Sequence, residues 1–342
     1  MSQQMRVALG QYYSATHEYL TFAQQLGVTG VQFNMIPKTP DLPDDTGYWQ
    51  LDDLKRLKQK VNDYDLDLEA IENVPHHFYR GAMLVTDQRD QQIENYQRTV
   101  QNMGEAGIPI LGLNWMPNSV WRTPTKTGRG GVIVTAFEME EAEAGNIVGG
   151  QLTVPEAEDR IYTEQEMFDN YVYFMERVLP VAEESRVKIA IHPDDPPVAS
   201  LGGIGRVFYK AENFKKALDA LPSPNHGLDF CMGCFSEMVY ADGDNNEGVL
   251  DATRYFGEQG KIFYVHFRDV QGCVPSFQEC FPGEGNVDVV QAIKTLKAVG
   301  FTGFIIDDHV PQMIDDSDWR HRGHAYATGY IMALVKAVNE LT

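Results

Sequence analysis

Lys188–His192 (KIAIH), Gly227–Cys231 (GLDFC), Ile262–His266 (IFYVH) and Gly303–Asp308 (GFIIDD) decide the fold. Each is a short apolar run that ends on a histidine, a cysteine, a histidine or an aspartate. Runs of this length and composition read as buried strands, and a helical stretch follows each one. Strand–helix alternation makes the strands parallel, because a crossover helix must carry the chain back to start the next one. The four polar termini then share the C-terminal ends of successive parallel strands. In a (β/α)8 barrel that face carries the active site. A mixed nitrogen, sulphur and oxygen donor set with open positions suits a divalent transition metal such as Mn, Fe or Zn.

The alternation extends back to the N-terminus. Arg6–Gln11, Val28–Asn34, Leu66–Val74 and Ile108–Asn114 read as strands. Helices are expected over Thr16–Leu26, Leu51–Tyr64, Gln88–Ala106, Glu164–Glu184, Ala211–Leu221, Glu247–Gln259, Val287–Val299 and His324–Leu341. Leu51, Leu54, Leu57 and Val61 recur at helical spacing, and Gly27 and Gly107 supply stops. Eight such units predict the α/β class and closure into a (β/α)8 TIM barrel. The expected organisation is one domain over residues 1–342. Trp115–Thr163 is a glycine- and acid-rich insertion, too long for an idle connection, and is expected to be a lid or interface element.

Lys and Arg number 28 against 49 Asp and Glu, a formal charge of -21. That excludes the basic face a nucleic-acid partner needs. An anionic substrate must be received by locally placed cations or a metal. There is no apolar run of about 18 residues to span a membrane. Met1–Gln11 lacks the basic-then-apolar pattern of a secretory signal. Four cysteines, Cys231, Cys234, Cys273 and Cys280, make no disulfide framework in a chain this long, so a reducing cytoplasm is expected. Cys231-Met-Gly-Cys234 alone is a weak zinc signal, since Cys273 and Cys280 are too far apart to be its second pair. A homo-oligomer is compatible with this composition, with no motif that encodes it.

Several residues qualify for chemistry. His192 opens His192-Pro193-Asp194-Asp195-Pro196-Pro197, a loop stiffened by prolines. A strand-end histidine or a buried cysteine is often only a core residue. Recurrence at one place in four successive units argues for ligation by His192, Cys231, His266 and Asp308. Glu72 and His77 fall on the same rim after the third strand, and Asn114 and Trp115 after the fourth. Arg122 is placed to clamp a carboxylate bidentately, and Arg268 is a second candidate.

These segments resemble the mannonate dehydratase family. The matching stretches are Ile71–Pro75, Asn114–Pro117 with Trp121–Thr123, Ile191–Pro197 (IHPDDPP) with Gly205-Arg206, Cys231–Gly233, Val265–Arg268, and Asp308-His309 with Gln312-Met313. They follow the family's order, and IHPDDPP is the most specific. The resemblance implies a (β/α)8 barrel of the xylose-isomerase-like kind, with Mn2+ or Fe2+ held by His192, Cys231, His266 and Asp308. It implies loss of water from D-mannonate to give 2-dehydro-3-deoxy-D-gluconate in hexuronate (glucuronate) breakdown. Where the family has Arg-Pro-Asp-His-Gly, this chain has Ile306-Asp307-Asp308-His309-Val310. Where the family has a Gly-Tyr whose tyrosine is implicated in catalysis, this chain has Gly323-His324-Ala325-Tyr326. Either His324 replaces the tyrosine or Tyr326 serves after a one-residue shift.

β-Elimination from a sugar acid needs a base for the proton next to the carboxylate and an acid for the departing hydroxide. His309, His324 and Tyr326 are the candidates, beside Asp308, with Asp194 or Asp195 orienting a partner. A sugar isomerase or epimerase on a metal-bearing barrel is the competing enzyme, since it takes the same proton and returns it. A catalytically silent sugar-acid binder is the third reading, kept open by the altered Ile306–Tyr326 region.

Overall fold

The computed structural model describes residues 4–34, 39, 41–43, 46–157 and 160–341. Eight parallel strands form the barrel. The first is Arg6–Val7 with Leu9–Tyr12, broken at Ala8. The second to fourth are Gly30–Asn34, Asp67–Glu72 and Ile110–Leu113. The fifth to eighth are Lys188–Ile191, His226–Cys231, Ile262–His266 and Phe304–Ile306. Each strand pairs with its sequence neighbours. The halves of the first strand close the ring, Arg6 opposite Phe304 and Leu9 opposite Val31, while the Ala8 amide donates to the Ile305 carbonyl at 3.0 Å.

Side chains fill the barrel interior. Small Ala8, Ala70 and Ala190 sit with Tyr264, Phe304 and Ile306 in one buried cluster, and the Tyr264 and Phe304 rings stack at 4.9 Å. Gly112 on the fourth strand is required by that packing. A Cβ there would lie 2.7 Å from Glu72 Cγ and 2.8 Å from the Tyr264 hydroxyl. The third strand ends at Glu72 because Asn73 turns into the left-handed region at φ 57°.

The outer helices start and stop where local chemistry dictates. Thr16 caps His17–Leu26 by accepting from the Tyr19 amide, and Gly27 closes it in the left-handed conformation. Thr163 and Glu166 form a reciprocal capping box on Glu164–Ser185. The last helix is His321–Leu341, one turn longer at its start than the sequence suggests. A short helix, Met232–Glu237, follows Cys231 directly.

The insertion is built rather than irregular. Thr123–Thr127 and Ile133–Glu138 pair with each other, and Ile133–Glu138 also pairs with Ser276–Cys280. With Asp269–Cys273 they make a four-stranded antiparallel sheet. The hairpin Asp269–Cys280 after the seventh strand was not foreseen in the sequence. Phe137 and Phe277 stack between the two hairpins, over a cluster with Trp121, Val198 and Val270. The sheet rises from the loops after the fourth and seventh strands, so it covers the C-terminal mouth of the barrel. No helix among the described residues is long and apolar enough to cross a membrane.

Candidate metal centre and active site

His192, Cys231, His266 and Asp308 converge as the strand ends require. One donor atom from each lies within 4.8 Å of the others, and all four residues are buried. Donors around one transition-metal ion at bond lengths of about 2.0–2.3 Å are separated by roughly 3–4.5 Å. His192 Nδ1 lies 2.7 Å from the Pro193 carbonyl, which fixes a proton on Nδ1 and turns Nε2 to the cluster. Cys231 Sγ is 4.0 Å from Asp308 Oδ2.

Two more acids join them. Glu72 and Asp229 stand 3.2 and 3.3 Å from His266 Nε2, while His266 Nδ1 faces Asp308 at 3.7 Å. Glu72, His192, Asp229 and His266 thus form a second overlapping donor group. Gln32 holds Glu72 with a 2.6 Å hydrogen bond. Both Asp229 oxygens and both His266 nitrogens lack a hydrogen-bond partner among the described residues. Buried polar atoms are rarely left so without a ligand in view. Strand alternation accounts for Asp229, which shares the inward face with Cys231 two residues on.

The electrostatics point to a cation. Burial disfavours a charged His192, yet the Cys231 hydrogen bond and the Asp229 and Glu72 carboxylates outweigh it and lift its pKa to about 10. His266 is lifted well above its ordinary value against the same burial, by Asp229, Glu72 and Asp308. Burial also opposes ionisation of Cys231, but Cys234, the Arg268 guanidinium and the two histidines hold its thiol well below the usual range. Burial and the Glu72 charge push Asp229 well up. The cluster carries an excess of negative charge that a divalent cation answers, and its thiolate, imidazole and carboxylate donors fit such an ion.

A layer of paired charge lies beside the cluster. Arg268 Nη1 contacts Glu237 at 2.6 Å and Glu279 at 2.8 Å; Nη2 contacts Asp195 at 3.0 Å, and Nε lies 2.9 Å from Asp308 Oδ2. Arg122 grips Asp195 bidentately at 2.5 and 2.7 Å. Burial alone would raise Asp195, but these two guanidinium groups hold it well below the usual carboxylate range. Both arginines expected to clamp substrate are therefore engaged with buried acids. Asp194 is likewise taken, by Arg206 at 3.2 Å and the Phe208 amide at 2.5 Å. Gly233 of the Cys-Met-Gly-Cys turn exists for this layer, since a Cβ there would meet the Arg268 side chain at 2.5 Å. Cys234 Sγ accepts from Arg268 at 3.0 Å, and with Asp195 and Glu237 it forms a third buried donor group within the charge layer.

A cavity of about 380 Å³ opens from Asp308 to the surface, lined also by Tyr13, His309, Trp319, Arg320 and His324. Its size falls in the range of small-molecule sites, ~300–1,000 Å³. His309 Nδ1 lies 3.1 Å from Glu279 and 3.2 Å from Arg122. His324 Nδ1 bonds Asp307 at 2.9 Å, Thr328 donates to the same carboxylate oxygen, and the ring stacks on Trp319 at 4.0 Å. Arg320 donates to the Val310 carbonyl and forms no ion pair among the described residues. A roomier hollow of about 500 Å³, lined by Arg6, Lys188 and Phe263, lies at the opposite end of the barrel, far from these donors.

Other expected contacts fall elsewhere. Trp115 is core: its indole donates to the Met167 carbonyl at 3.0 Å and packs on Tyr171 and Phe174. Asn114 is buried, with its carbonyl accepting from the Tyr79 hydroxyl. His77 is exposed on a short 3-10 turn with its ring against Phe78. Tyr326 packs on Phe281 under Arg129 and does not line the cavity, so of the two candidates on the last helix only His324 reaches it. Tyr13, Asp229, Glu279 and Arg320 were missed.

The chain matches the D-mannonate dehydratase (UxuA) family over residues 5–342. It is 30% identical over 332 residues to the mannonate dehydratase of Thermotoga petrophila, covering 87% of each chain. The crystal structure of mannonate dehydratase from Streptococcus suis serotype 2 superposes with a TM-score of 0.84 at 26% identity, over 99% of this chain and 94% of that one. A xylose isomerase domain protein from Planctomyces limnophilus, 13% identical with a TM-score of 0.59 over 98% and 99% of the two chains, shares the fold alone. The chain belongs to the mannonate dehydratase family of hydro-lyases.

Proposed function

We propose that this chain is a metal-dependent hydro-lyase converting D-mannonate to 2-dehydro-3-deoxy-D-gluconate, as a single-domain cytoplasmic enzyme of hexuronate breakdown. The observation that carries the reading is the buried His192, Cys231, His266 and Asp308 cluster, opening through Asp308 onto a cavity with two oriented histidines. These four residues would hold Mn2+ or Fe2+. When bound, the ion supplies Lewis acidity to the substrate carboxylate and so acidifies the neighbouring C–H.

The chain's own groups do the rest. Arg320, which lines the cavity and forms no ion pair among the described residues, receives the substrate carboxylate. Asp307 and Thr328 hold His324 with its Nδ1 proton on the carboxylate, which turns the Nε2 lone pair to the cavity. His324 is the base that takes the C2 proton, oriented as an acid holds a histidine in other base dyads. His309 is held by Nδ1 between the Glu279 carboxylate and the Arg122 guanidinium, with Nε2 3.8 Å from Asp308, and so stands between the metal cluster and the substrate hydroxyl groups. Arg122, Asp195 and Arg268 keep Glu279 and Asp308 in place.

The test is anaerobic incubation of Mn2+- or Fe2+-loaded protein with D-mannonate, assayed for the 2-keto-3-deoxy acid, beside Cys231→Ala. Product from the wild type alone supports the reading. A returned, deuterium-exchanged substrate with no water lost would instead make the chain an epimerase. Binding of D-mannonate with neither outcome would make it a silent binder.

A further inference from the structure

Cys234 is a nucleophilic side chain that neither the metal centre nor the proton chemistry uses. It lies three residues after Cys231, in the first turn of Met232–Glu237, and both thiols are free and fully buried. The Cys234 amide donates to Cys231 Sγ at 3.5 Å. The four-residue donor cluster takes Cys231 and leaves Cys234 out. The group that Cys234 does join, with Asp195 and Glu237, is already answered by one cation. Arg268 reaches Cys234 Sγ and Asp195 at 3.0 Å and Glu237 at 2.6 Å. Sulphur is a weak acceptor for a buried guanidinium, and a serine hydroxyl would serve that contact better, so the contact does not account for a cysteine. A C-x-x-C pair in a βα unit is the arrangement of a redox pair. We infer that Cys231 and Cys234 are a redox modification site: a hydroperoxide joins them as a disulfide, which withdraws the Cys231 sulphur from the metal centre. The inference rests on Cys231 being a ligand of that centre.

The backbone suits this bond. Residues three apart at the start of a helix have Cα atoms about 5 Å apart, inside the ~4.4–6.8 Å that a disulfide spans. Access comes with the site itself. Cys231 Sγ lies 4.0 Å from Asp308 Oδ2, and Asp308 lines the cavity that opens to the surface. A path that admits a divalent ion to Cys231 admits a small neutral peroxide. Cys273 and Cys280 are placed differently. On their hairpin Cys273 faces Ser276 and Cys280 faces Asp269, so the register does not pair them with each other.

The step balances with the peroxide as oxidant. The Cys231 sulphur attacks one peroxide oxygen; the S–O bond forms, the O–O bond breaks, and the hydroxide that leaves takes a proton from solvent. The Cys234 sulphur then attacks the Cys231 sulphenic acid; the S–S bond forms, the S–O bond breaks, and the departing hydroxide takes up the Cys234 proton. The two sulphurs together lose two electrons, and the peroxide is reduced to water. A thiol reductant reverses the change by exchange.

The experiment treats metal-stripped protein with hydrogen peroxide, maps the cysteine-bearing peptides by mass, and measures Mn2+ affinity before and after, in the wild type and in Cys234→Ser. In the wild type the peptide carrying Cys231 and Cys234 should become lighter by two hydrogens. Mn2+ affinity should fall by more than about 100-fold, and dithiothreitol should restore both. In Cys234→Ser no second thiol closes the bond, so Cys231 should go on to the sulphinic acid and the loss should survive dithiothreitol. The wild-type mass keeps the test decisive if the variant does not fold. Sulphinic acid on Cys231 of the wild type without the cross-link, or both thiols left unchanged, overturns the inference. So does a cross-linked protein that binds Mn2+ as tightly as the reduced one while reduced Cys231→Ala does not. If reduced Cys231→Ala binds Mn2+ like the wild type, the ligand assignment itself is overturned, and the consequence for the metal with it.

Discussion

Arg268→Met should destabilise the folded protein by several kcal/mol and loosen the metal centre at the same time. Arg268 is 2% exposed and touches Glu237, Glu279, Asp195 and Asp308, all within 3.0 Å. Methionine is close in length, so little cavity is left and the loss is chiefly electrostatic. Removing one partner of a buried pair strands the other, at a cost of about 3–5 kcal/mol. Burial already pushes Glu237 up, so it can neutralise by taking a proton, which keeps the cost inside that range. At about 2.1 cal/mol/K per residue, a chain of 342 residues has an unfolding entropy near 0.7 kcal/mol/K, so Tm should fall by about 4–7 °C. Asp308 also loses the guanidinium that orients it, and losing such an outer partner weakens metal affinity by about 10–100-fold. Differential scanning at matched scan rates gives the first number, and titration of stripped protein with Mn2+ gives the second. A Tm equal to or above that of the wild type would refute the reasoning, because it would mean the four acids do not depend on this cation.

Cys231→Ala removes a proposed ligand rather than its orienter, so metal affinity should fall by more than the ~10–100-fold of the Arg268 variant; equal metal content after gel filtration would place the ion elsewhere. Trp115→Phe should cost about 1–2 kcal/mol through the lost bond to the Met167 carbonyl while leaving KM unchanged, since the ring is core; a raised KM would put it back among substrate contacts. His226 is buried with its pKa lowered by desolvation to about 4 from 6.5, donating to the Leu221 carbonyl and accepting from Tyr171. The unfolded chain therefore binds the extra proton between those values, and stability contributed by His226 is full above about pH 6.5 and lost as pH falls toward 4, up to about 3 kcal/mol. Urea midpoints of His226→Gln should fall less steeply over that window, and an identical slope would show that His226 does not carry it.

The barrel and the convergence of His192, Cys231, His266 and Asp308 were legible because they follow from local periodicity. Apolar runs such as KIAIH and IFYVH announce a strand, the residue that ends the run marks the mouth, and parallel strands bring the marks together. Asp229 was legible by the same rule and was passed over. An aspartate inside GLDFC, two places before Cys231, must face where Cys231 faces, and an acid on the interior of a barrel strand has no solvent to turn to.

What the chain does not announce is which charge meets which. Arg122 and Arg268 read as substrate clamps because a lone arginine at a barrel mouth looks free. Each is neutralised by an acid 73 positions away, and Glu279 reaches them from a hairpin whose sheet partner is the insertion, 138 residues earlier. No periodicity links such positions; only the folded mouth does. Arg320 was overlooked for the converse reason. It sits in a polar turn before the last helix, where arginines are ordinarily solvated, and the fold brings it to the cavity wall with no ion pair among the described residues, although the Glu279 and Asp316 charges still act on it. In a chain of net charge -21, binding an anionic sugar acid calls for a cation at the cavity, and Arg320 is placed to be one while Arg122 and Arg268 answer the buried carboxylates beside it.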